Sequence, residues 1–133
     1  MVARENAKRH FVDMRLRLVA ADVFEGLGGD RFDAVISNPP YVPVRDLKSL
    51  QAEVRDFEPH VALTDQGDGL SVIRRIIDDA PSYLKSGGLL LVEVGYAQGH
   101  AVEQLLDTSV WRSVEFIPDL QGIPRILAAR SRS

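Results

Sequence analysis

The chain has 133 residues, of which 45% are hydrophobic and 26% charged, a balance that predicts one folded domain with a single core. The formal net charge of −3 at pH 7 argues against a surface that binds nucleic acid along its whole length. Cysteine is absent, which excludes disulfides and thiolate metal sites and fits a reducing cytoplasm. No apolar run approaches the roughly 20 residues that a membrane helix needs.

The first part of the chain is predicted to contain one helix and two strands. Strong helix formers predict a helix over residues 2–10, and the lack of a capping residue before it is typical of the second half of a longer helix. Alternating Arg and Leu predict a strand over residues 15–21 that ends at Asp22. After a glycine-rich loop, an apolar strand is predicted over residues 32–37.

The rest of the chain continues this α/β pattern after an irregular connection over residues 42–69. That connection, with one short helix predicted over residues 46–54, is long enough to indicate a lid or a substrate wall. Apolar spacings of three and four predict a helix that begins after the N-cap Asp68, extends to Leu84, kinks at Pro81 and stops at Gly87 and Gly88. The remaining predictions are a strand over residues 89–94, a helix over 100–107, and strands over 113–117 and 125–129. The order predicts a three-layer α/β sheet that ends in an antiparallel pair.

The strand over residues 32–37 runs directly into Asn38, Pro39, Pro40 and Tyr41. Proline locks φ and restricts the residue before it, so the Pro39 carbonyl is held out rigidly beside the acceptor oxygen of Asn38. Two acceptors that bind both N–H bonds of a planar NH2 group raise electron density on its nitrogen and direct the lone pair at an electrophile. The sequence therefore predicts a site for NH2 chemistry, with a proline turn that merely closes a strand as the alternative.

This motif resembles the N-P-P-Y signature of S-adenosylmethionine-dependent amino-methyltransferases. Further segments accompany it: E-V-R-D-F-E-P at 53–59, D-G-L at 68–70, L-V-E-V-G at 91–95 and D-L-Q-G-I-P-R at 119–125. The series is similar to the protein-glutamine N5-methyltransferases that modify peptide-chain release factors, the HemK/PrmC family. The segments 95–99 and 122–125 favour this group over a sister group that modifies a ribosomal protein.

The resemblance implies a class I S-adenosylmethionine-dependent methyltransferase fold, which is a Rossmann-like sheet with an antiparallel C-terminal strand pair. It implies that Asn38, Pro39, Pro40 and Tyr41 are catalytic, and that Asn38, Pro39, Tyr41 and Val42 surround a substrate glutamine. Asp22 and Asn38 would bind the cofactor S-adenosyl-L-methionine, with Asp22 accepting from the adenine amino group or, alternatively, only capping a loop. The implied partner is a peptide-chain release factor in the cytoplasm, without a metal, a membrane or a direct nucleic-acid contact.

Several charged residues have both a structural and a functional interpretation. Glu93 lies in an otherwise apolar strand, so its carboxylate needs a partner, for which Arg125 is a candidate. Glu53, Arg55 and Glu58 would either contact a protein substrate or lie on a solvated loop.

The sequence also departs from the family pattern. A glycine-rich turn after a first strand and an acidic residue ending a second strand are both missing, so residues 1–133 are expected to be a partial catalytic domain. The first two strands and the N-terminal substrate-binding domain would then be absent. We expect an open sheet edge at Val35 and Ile36, with self-association or an exchanged element there. We also expect the strand over residues 15–21 to be displaced, poorly ordered or paired in a way that differs from the family.

Three functional hypotheses remain open at this point. The first is a release-factor glutamine methyltransferase, of which this chain is the C-terminal part. The second is a DNA or RNA amino-methyltransferase that uses the same motif on a flipped base. The third is an inactive truncated product.

Overall fold

Four strands form one mixed sheet in the computed structural model, which describes residues 2–132. They are β1 (Phe32–Ser37), β2 (Leu84–Glu93), β3 (Trp111–Pro118) and β4 (Pro124–Ser131). Their spatial order is β1-β2-β4-β3, with β1 and β2 parallel and β4 antiparallel to both of its neighbours. The prediction of an α/β sheet that ends in an antiparallel pair is therefore confirmed.

The helices are α1 (Val2–Arg9), α2 (Ala52–Phe57), α3 (His60–Leu63), α4 (Ser71–Tyr83) and α5 (Gly99–Glu103). Short 3-10 turns cover Asp13–Arg15 and Val44–Ser49. Among residues 2–132, no helix is long and apolar enough to cross a membrane.

The core lies between α4 and one face of the sheet. The apolar stripe of α4 is buried through Ile73, Ile76, Ile77 and Ala80. It belongs to one cluster with alternate residues of the two central strands, which are Leu90, Val92, Leu127 and Ala129. Full burial of each large apolar side chain stabilises the fold by about 1.5–3 kcal/mol, so this layer fixes the sheet on which the site is built.

The prediction of a strand over residues 15–21 is wrong. The segment is exposed and irregular, and the nearest ladder contact is an isolated bridge between Asp22 and Glu25. A strand needs a neighbour for its N–H and C=O groups, and no described strand lies beside this one. The segment lies outside the described sheet, and displacement was one of the outcomes expected from the departure from the family pattern.

Three predicted helices differ in their bounds. The helix over 46–54 is replaced by the 3-10 turn Val44–Ser49 and by α2, which are separated by extended backbone at Leu50 and Gln51. The helix over 100–107 is only α5, Gly99–Glu103, because the chain turns away after it. Helix α4 ends at Tyr83 without reaching the predicted stop, and Gly87 and Gly88 lie inside the longer strand β2.

The predicted cap of α4 is also different. Asp68 accepts a hydrogen bond from the N–H of Leu70, before the helix begins, and no side chain caps the helix at its N-cap residue, Leu70. The Asp65 carboxylate instead reaches the first helical residue, because it accepts from both the N–H and the hydroxyl of Ser71.

Strand β1 lies at the edge of the sheet formed by the described residues. It pairs with β2 alone, and the Ile36 side chain is 75% exposed. The open edge predicted at Val35 and Ile36 is therefore confirmed.

Candidate active site

The N-P-P-Y residues lie at the carboxyl end of a parallel strand pair. Ser37 of β1 is in register with Val92 of β2, so the chain leaves both strands at the same edge of the sheet. Asn38 follows β1, and Gly95 comes two residues after β2 ends. The carboxyl ends of adjacent parallel strands are where α/β sheets place their ligands.

Two cavities meet at Asn38 and Pro39, which line both of them. The larger cavity, about 930 Å³, extends past Tyr41 and Val42 to the connection over residues 42–69. The smaller cavity, about 490 Å³, extends along β1 to Asp22. Both volumes are typical of small-molecule sites. Asn38 and Pro39 thus form a wall with a cavity on either side.

Both predicted acceptors are available for a ligand. Neither the Asn38 side chain nor the Pro39 carbonyl forms a hydrogen bond with any part of the described chain. Pro39 is buried, whereas Asn38 is exposed. A main-chain carbonyl without a donor can accept a hydrogen bond from a ligand, and Pro39 lines both cavities.

Tyr41 is held against the sheet through its hydroxyl. The Tyr41 O–H donates to Glu93 Oε1 at 2.7 Å. Burial, together with the hydrogen bond to the Glu93 carboxylate, raises the pKa of Tyr41 to about 12. Tyr41 is therefore a neutral donor near pH 7, with its ring fixed beside the wall.

The predicted partner of Glu93 is wrong. Arg125 does not pair with Glu93, because its Nε donates to Asp119 Oδ2 at 3.2 Å. Asp119 also accepts from the N–H groups of Gln121 and Ile123, so it sits at the centre of the turn that carries Arg125. Glu93 takes its hydrogen bond from Tyr41 across the two strand ends. Arg125 still lines the larger cavity.

The chain after Tyr41 is tied down by main-chain hydrogen bonds. The Val42 N–H donates to the Leu63 carbonyl at 2.9 Å, and the Val44 N–H donates to the Gly67 carbonyl at 3.0 Å. Val42, predicted to line the substrate slot, does line the larger cavity. The segment that lines the larger cavity after Tyr41 is therefore anchored to residues 63–67 as well as to the sheet.

Asp22 lines the smaller cavity together with Asn38, although the strand that it was predicted to end is not formed. One of its oxygens accepts from Arg75 at 3.1 Å, and Arg75 also pairs with Glu25 at 3.2 Å. The Asp22 side chain is 69% exposed. Its carboxylate is thus accessible but shared with an arginine of α4.

Of the three charged residues considered for substrate contact, only Glu58 lines the larger cavity. Arg55 pairs with its neighbour Asp56 at 2.7 Å. Glu53 lies on the same short helix, outside the cavity. Within residues 2–132, no group of three or more His, Cys, Asp or Glu side chains could hold a metal ion.

Sequence reasoning missed two polar residues that shape this site. Gln98 is buried between the strand ends, and Asp65 accepts four hydrogen bonds from Gly67, Gly69 and Ser71. The Asp-Gly pattern at 65–69 could have indicated a tight turn. The contacts of Gln98 with Tyr41 and Gly69 have no local signal, because these two partners lie 57 and 29 positions away in the sequence.

A solved structure shares this architecture. It is the crystal structure of a release-factor-specific protein-(glutamine-N5) methyltransferase from Alicyclobacillus acidocaldarius, at a TM-score of 0.50 and 26% identity, and the match covers 77% of this chain and 50% of that one. The mixed sheet, with acceptors at the end of a parallel strand, defines a class I methyltransferase fold, a class that uses S-adenosylmethionine in general.

Sequence relatives narrow the class. The chain is 41% identical to the release factor glutamine methyltransferase of Geobacter sulfurreducens and 43% identical to that of Cereibacter sphaeroides, each over 97% of its length. It is therefore similar to release factor glutamine methyltransferases over nearly its whole length. The chain spans about half the length of these relatives, 45% and 46%. No family model matches the chain.

Proposed function

We propose that this chain contributes the acceptor side of an active site that methylates a glutamine side-chain amide nitrogen in a peptide-chain release factor. One observation carries the proposal: the two acceptors of Asn38 and Pro39 have no partner within the described residues and stand between two cavities. That arrangement suits a reaction in which an NH2 group on one side meets a methyl donor on the other. The similarity to release factor glutamine methyltransferases supports this substrate class.

The residues that are present fit part of S-adenosylmethionine. In the smaller cavity, Asp22 offers a carboxylate oxygen to an amino group, while Val35, Val72 and Ile76 offer apolar surface to a flat ring. When bound, this cofactor supplies an electrophilic methyl group on a sulfonium. Asn38 would line its methyl side, since it belongs to the wall of that cavity.

The chain's own residues would bind and orient the glutamine amide in the larger cavity. The Asn38 side-chain oxygen and the Pro39 carbonyl would each accept a hydrogen bond from one N–H group, which leaves the nitrogen lone pair perpendicular to the amide plane and free to face the methyl donor. As that nitrogen forms its bond to the methyl carbon and the methyl–sulfur bond breaks, its two N–H groups become more positive, and one of these protons must leave to complete the reaction. Both hydrogen bonds are then stronger in the transition state than in the ground state, which is the condition for catalysis.

Tyr41 and Val42 would border the amide and exclude water from it, because both line the larger cavity. Tyr41 stays protonated through its bond to Glu93, so it offers the substrate a ring face and no negative charge. The rest of the cavity, which is lined by the connection over residues 42–69, would receive the loop that presents the glutamine. The cytoplasm is the proposed location, since a release factor acts there.

The test is Asn38→Ala in a full-length enzyme that carries this sequence. Loss of one pre-organised acceptor should lower the rate of release-factor methylation by about 10²–10³-fold, with a much smaller change in cofactor affinity. Asn6→Ala, at an exposed position in α1, is the matched control and should keep the parent rate. Near-normal turnover of Asn38→Ala would contradict the assigned role.

The substrate class is tested separately. Changing the target glutamine of the release factor to glutamate removes the NH2 group and should abolish methyl transfer. Methylation of DNA or RNA with no transfer to protein would favour the nucleic-acid alternative and overturn the proposal.

A further inference from the structure

Gln98 is a buried polar side chain that the proposed reaction does not use. It is 9% exposed and lies between the ends of β1 and β2. Its Oε1 accepts from the Gly95 N–H at 2.7 Å, and its Nε2 donates to the Tyr41 carbonyl at 2.9 Å. A third, longer contact of 3.5 Å joins Nε2 to the Gly69 carbonyl. One amide therefore connects three separate segments of the chain.

The surroundings of this amide leave no room for a different arrangement. A Cβ atom on Gly95 would lie 2.7 Å from Gln98 Oε1, and one on Gly69 would lie 2.8 Å from Gln98 Nε2. Both neighbours are glycines, so the amide is in direct contact with main chain on two sides. A side chain that must both accept and donate at fixed places is specified more narrowly than one that only fills space.

Tyr41 is held at both ends by the segment that follows β2. Glu93 accepts from its hydroxyl, and Gln98 donates to its carbonyl. Pro40, which precedes Tyr41, has a locked φ and no N–H, so Tyr41 and Pro39 are joined by a stiff link. The locked φ of Pro40 removes one of the torsions that could absorb a shift of the Tyr41 carbonyl before it reaches the Pro39 carbonyl.

We propose that Gln98 is a positioning residue for the amide site: by fixing the main-chain carbonyl of Tyr41, it sets the place of the Pro39 carbonyl relative to Asn38. Gln98 also lines the larger cavity, but its amide is bonded to main-chain groups of Gly95 and Tyr41, so it acts on the substrate amide through the proline link. This inference rests on the proposed function of Asn38 and Pro39. Its consequence is that Gln98 controls the rate of methyl transfer more than the binding of either substrate.

The first variant is Gln98→Met, which has a similar length but can neither donate nor accept in the same way. In a full-length enzyme that carries this sequence, kcat should fall by about 10²-fold, the usual cost of misplacing a reacting group by about 1 Å. The KM values should change less than about threefold. Gln104→Met, on an exposed glutamine just after α5, is the matched control and should keep both constants.

The second variant, Gln98→Glu, separates positioning from bulk packing. An ionised carboxylate at position 98 still accepts a hydrogen bond from the Gly95 N–H but repels the carbonyl oxygens of Tyr41 and Gly69. A protonated carboxyl group can again donate a hydrogen bond to the Tyr41 carbonyl. Burial raises the pKa of a carboxyl group, so protonation should occur within reach of neutral pH. The ratio of variant to parent kcat should therefore rise as pH falls from about 8 to about 6. Gln98→Met should show no such recovery.

A separate measurement on the 133-residue chain does not depend on activity. In NMR, amide hydrogen exchange should show a protected Gly95 N–H that exchanges fast in Gln98→Met. The carbon-13 signal of the Tyr41 carbonyl should shift in the same variant. Unchanged kcat in Gln98→Met, or unchanged Gly95 and Tyr41 signals, would overturn the inference. A parent enzyme that does not methylate glutamine would refute the proposed function instead. The hydrogen-exchange result would still decide whether Gln98 fixes the main chain at Gly95 and Tyr41.

Discussion

Replacing Gly69 with alanine should destabilise this protein strongly, because a main-chain carbonyl occupies the space a side chain would need. Gly69 has a φ of +83°, and a Cβ atom built on it lies 2.1 Å from the Tyr41 carbonyl oxygen and 2.8 Å from Gln98 Nε2. The Tyr41 oxygen belongs to the backbone and cannot rotate away. It must move by about 0.9 Å to reach even 3.0 Å.

The expected cost has two parts. Left-handed backbone costs a non-glycine residue about 1–2 kcal/mol. Displacing the Tyr41 carbonyl also breaks its hydrogen bond to Gln98 and leaves a buried polar group unsatisfied, for about 1–3 kcal/mol more. Gly69→Ala should therefore lower the free energy of unfolding by about 2–5 kcal/mol, a large share of the 5–15 kcal/mol of a typical domain.

Gly122→Ala is the matched control. Gly122 has nearly the same φ, +79°, but nothing lies within 4 Å of the Cβ position. It should show the conformational cost alone, about 1–2 kcal/mol. Urea unfolding can be followed by the fluorescence of Trp111, the only tryptophan, which is 2% exposed. Equal losses for Gly69→Ala and Gly122→Ala would refute the reasoning, because the carbonyl contact would then contribute nothing.

The remaining predictions concern charge, the tyrosine and the sheet edge. Burial alone would raise the pKa of Asp65, but hydrogen bonds from the hydroxyl and N–H of Ser71 and from two glycine N–H groups hold it below its ordinary value. Its carboxylate therefore stabilises the fold above about pH 4 and loses this effect as pH falls through the lowered pKa. Asp65→Asn should lower the free energy of unfolding by about 1–2 kcal/mol at pH 7, measured by urea unfolding, and should make that free energy less sensitive to acid. An unchanged dependence of the free energy of unfolding on pH would contradict this. Tyr41→Phe leaves Glu93 without its hydrogen-bond donor and should lower the free energy of unfolding by about 1–3 kcal/mol in the same urea assay. An unchanged free energy of unfolding would show that this hydrogen bond is dispensable. The isolated chain should self-associate through β1 in analytical ultracentrifugation, with Ile36→Lys shifting it towards monomer; a parent chain that is already monomeric would exclude this edge as an interface.

The sequence predicts those parts of the fold that depend on local pattern. Strand β1 and helix α4 follow from apolar spacing within a few residues, and both are where the pattern places them. The segment 15–21 has an equally clear alternation, but a strand is completed by its neighbour, and none is present among the described residues. Local pattern is therefore sufficient for a helix with an apolar stripe and insufficient for a strand that has no neighbour to pair with.

The candidate site, like the fold, can be predicted from the sequence only where the signal is local. Asn38 to Tyr41 are recognisable because their chemistry is contiguous in the sequence, and the structure places them together at the end of β1. The contact between Gln98 and Tyr41 spans 57 positions and leaves no periodic trace in either segment. The partner of Glu93 was assigned wrongly for the same reason, since its hydrogen bond to Tyr41 spans 52 positions.

Under the proposed function, the wall of Asn38 and Pro39 has a kinetic consequence, because it would give each ligand a cavity of its own. A methyl donor in the smaller cavity would not lie on the path of a protein loop into the larger one, so neither ligand would have to leave before the other enters. Both must be present together for transfer across the wall. Initial-rate plots against the two substrate concentrations should therefore intersect, in contrast to the parallel lines of a ping-pong enzyme that stores the methyl group on itself.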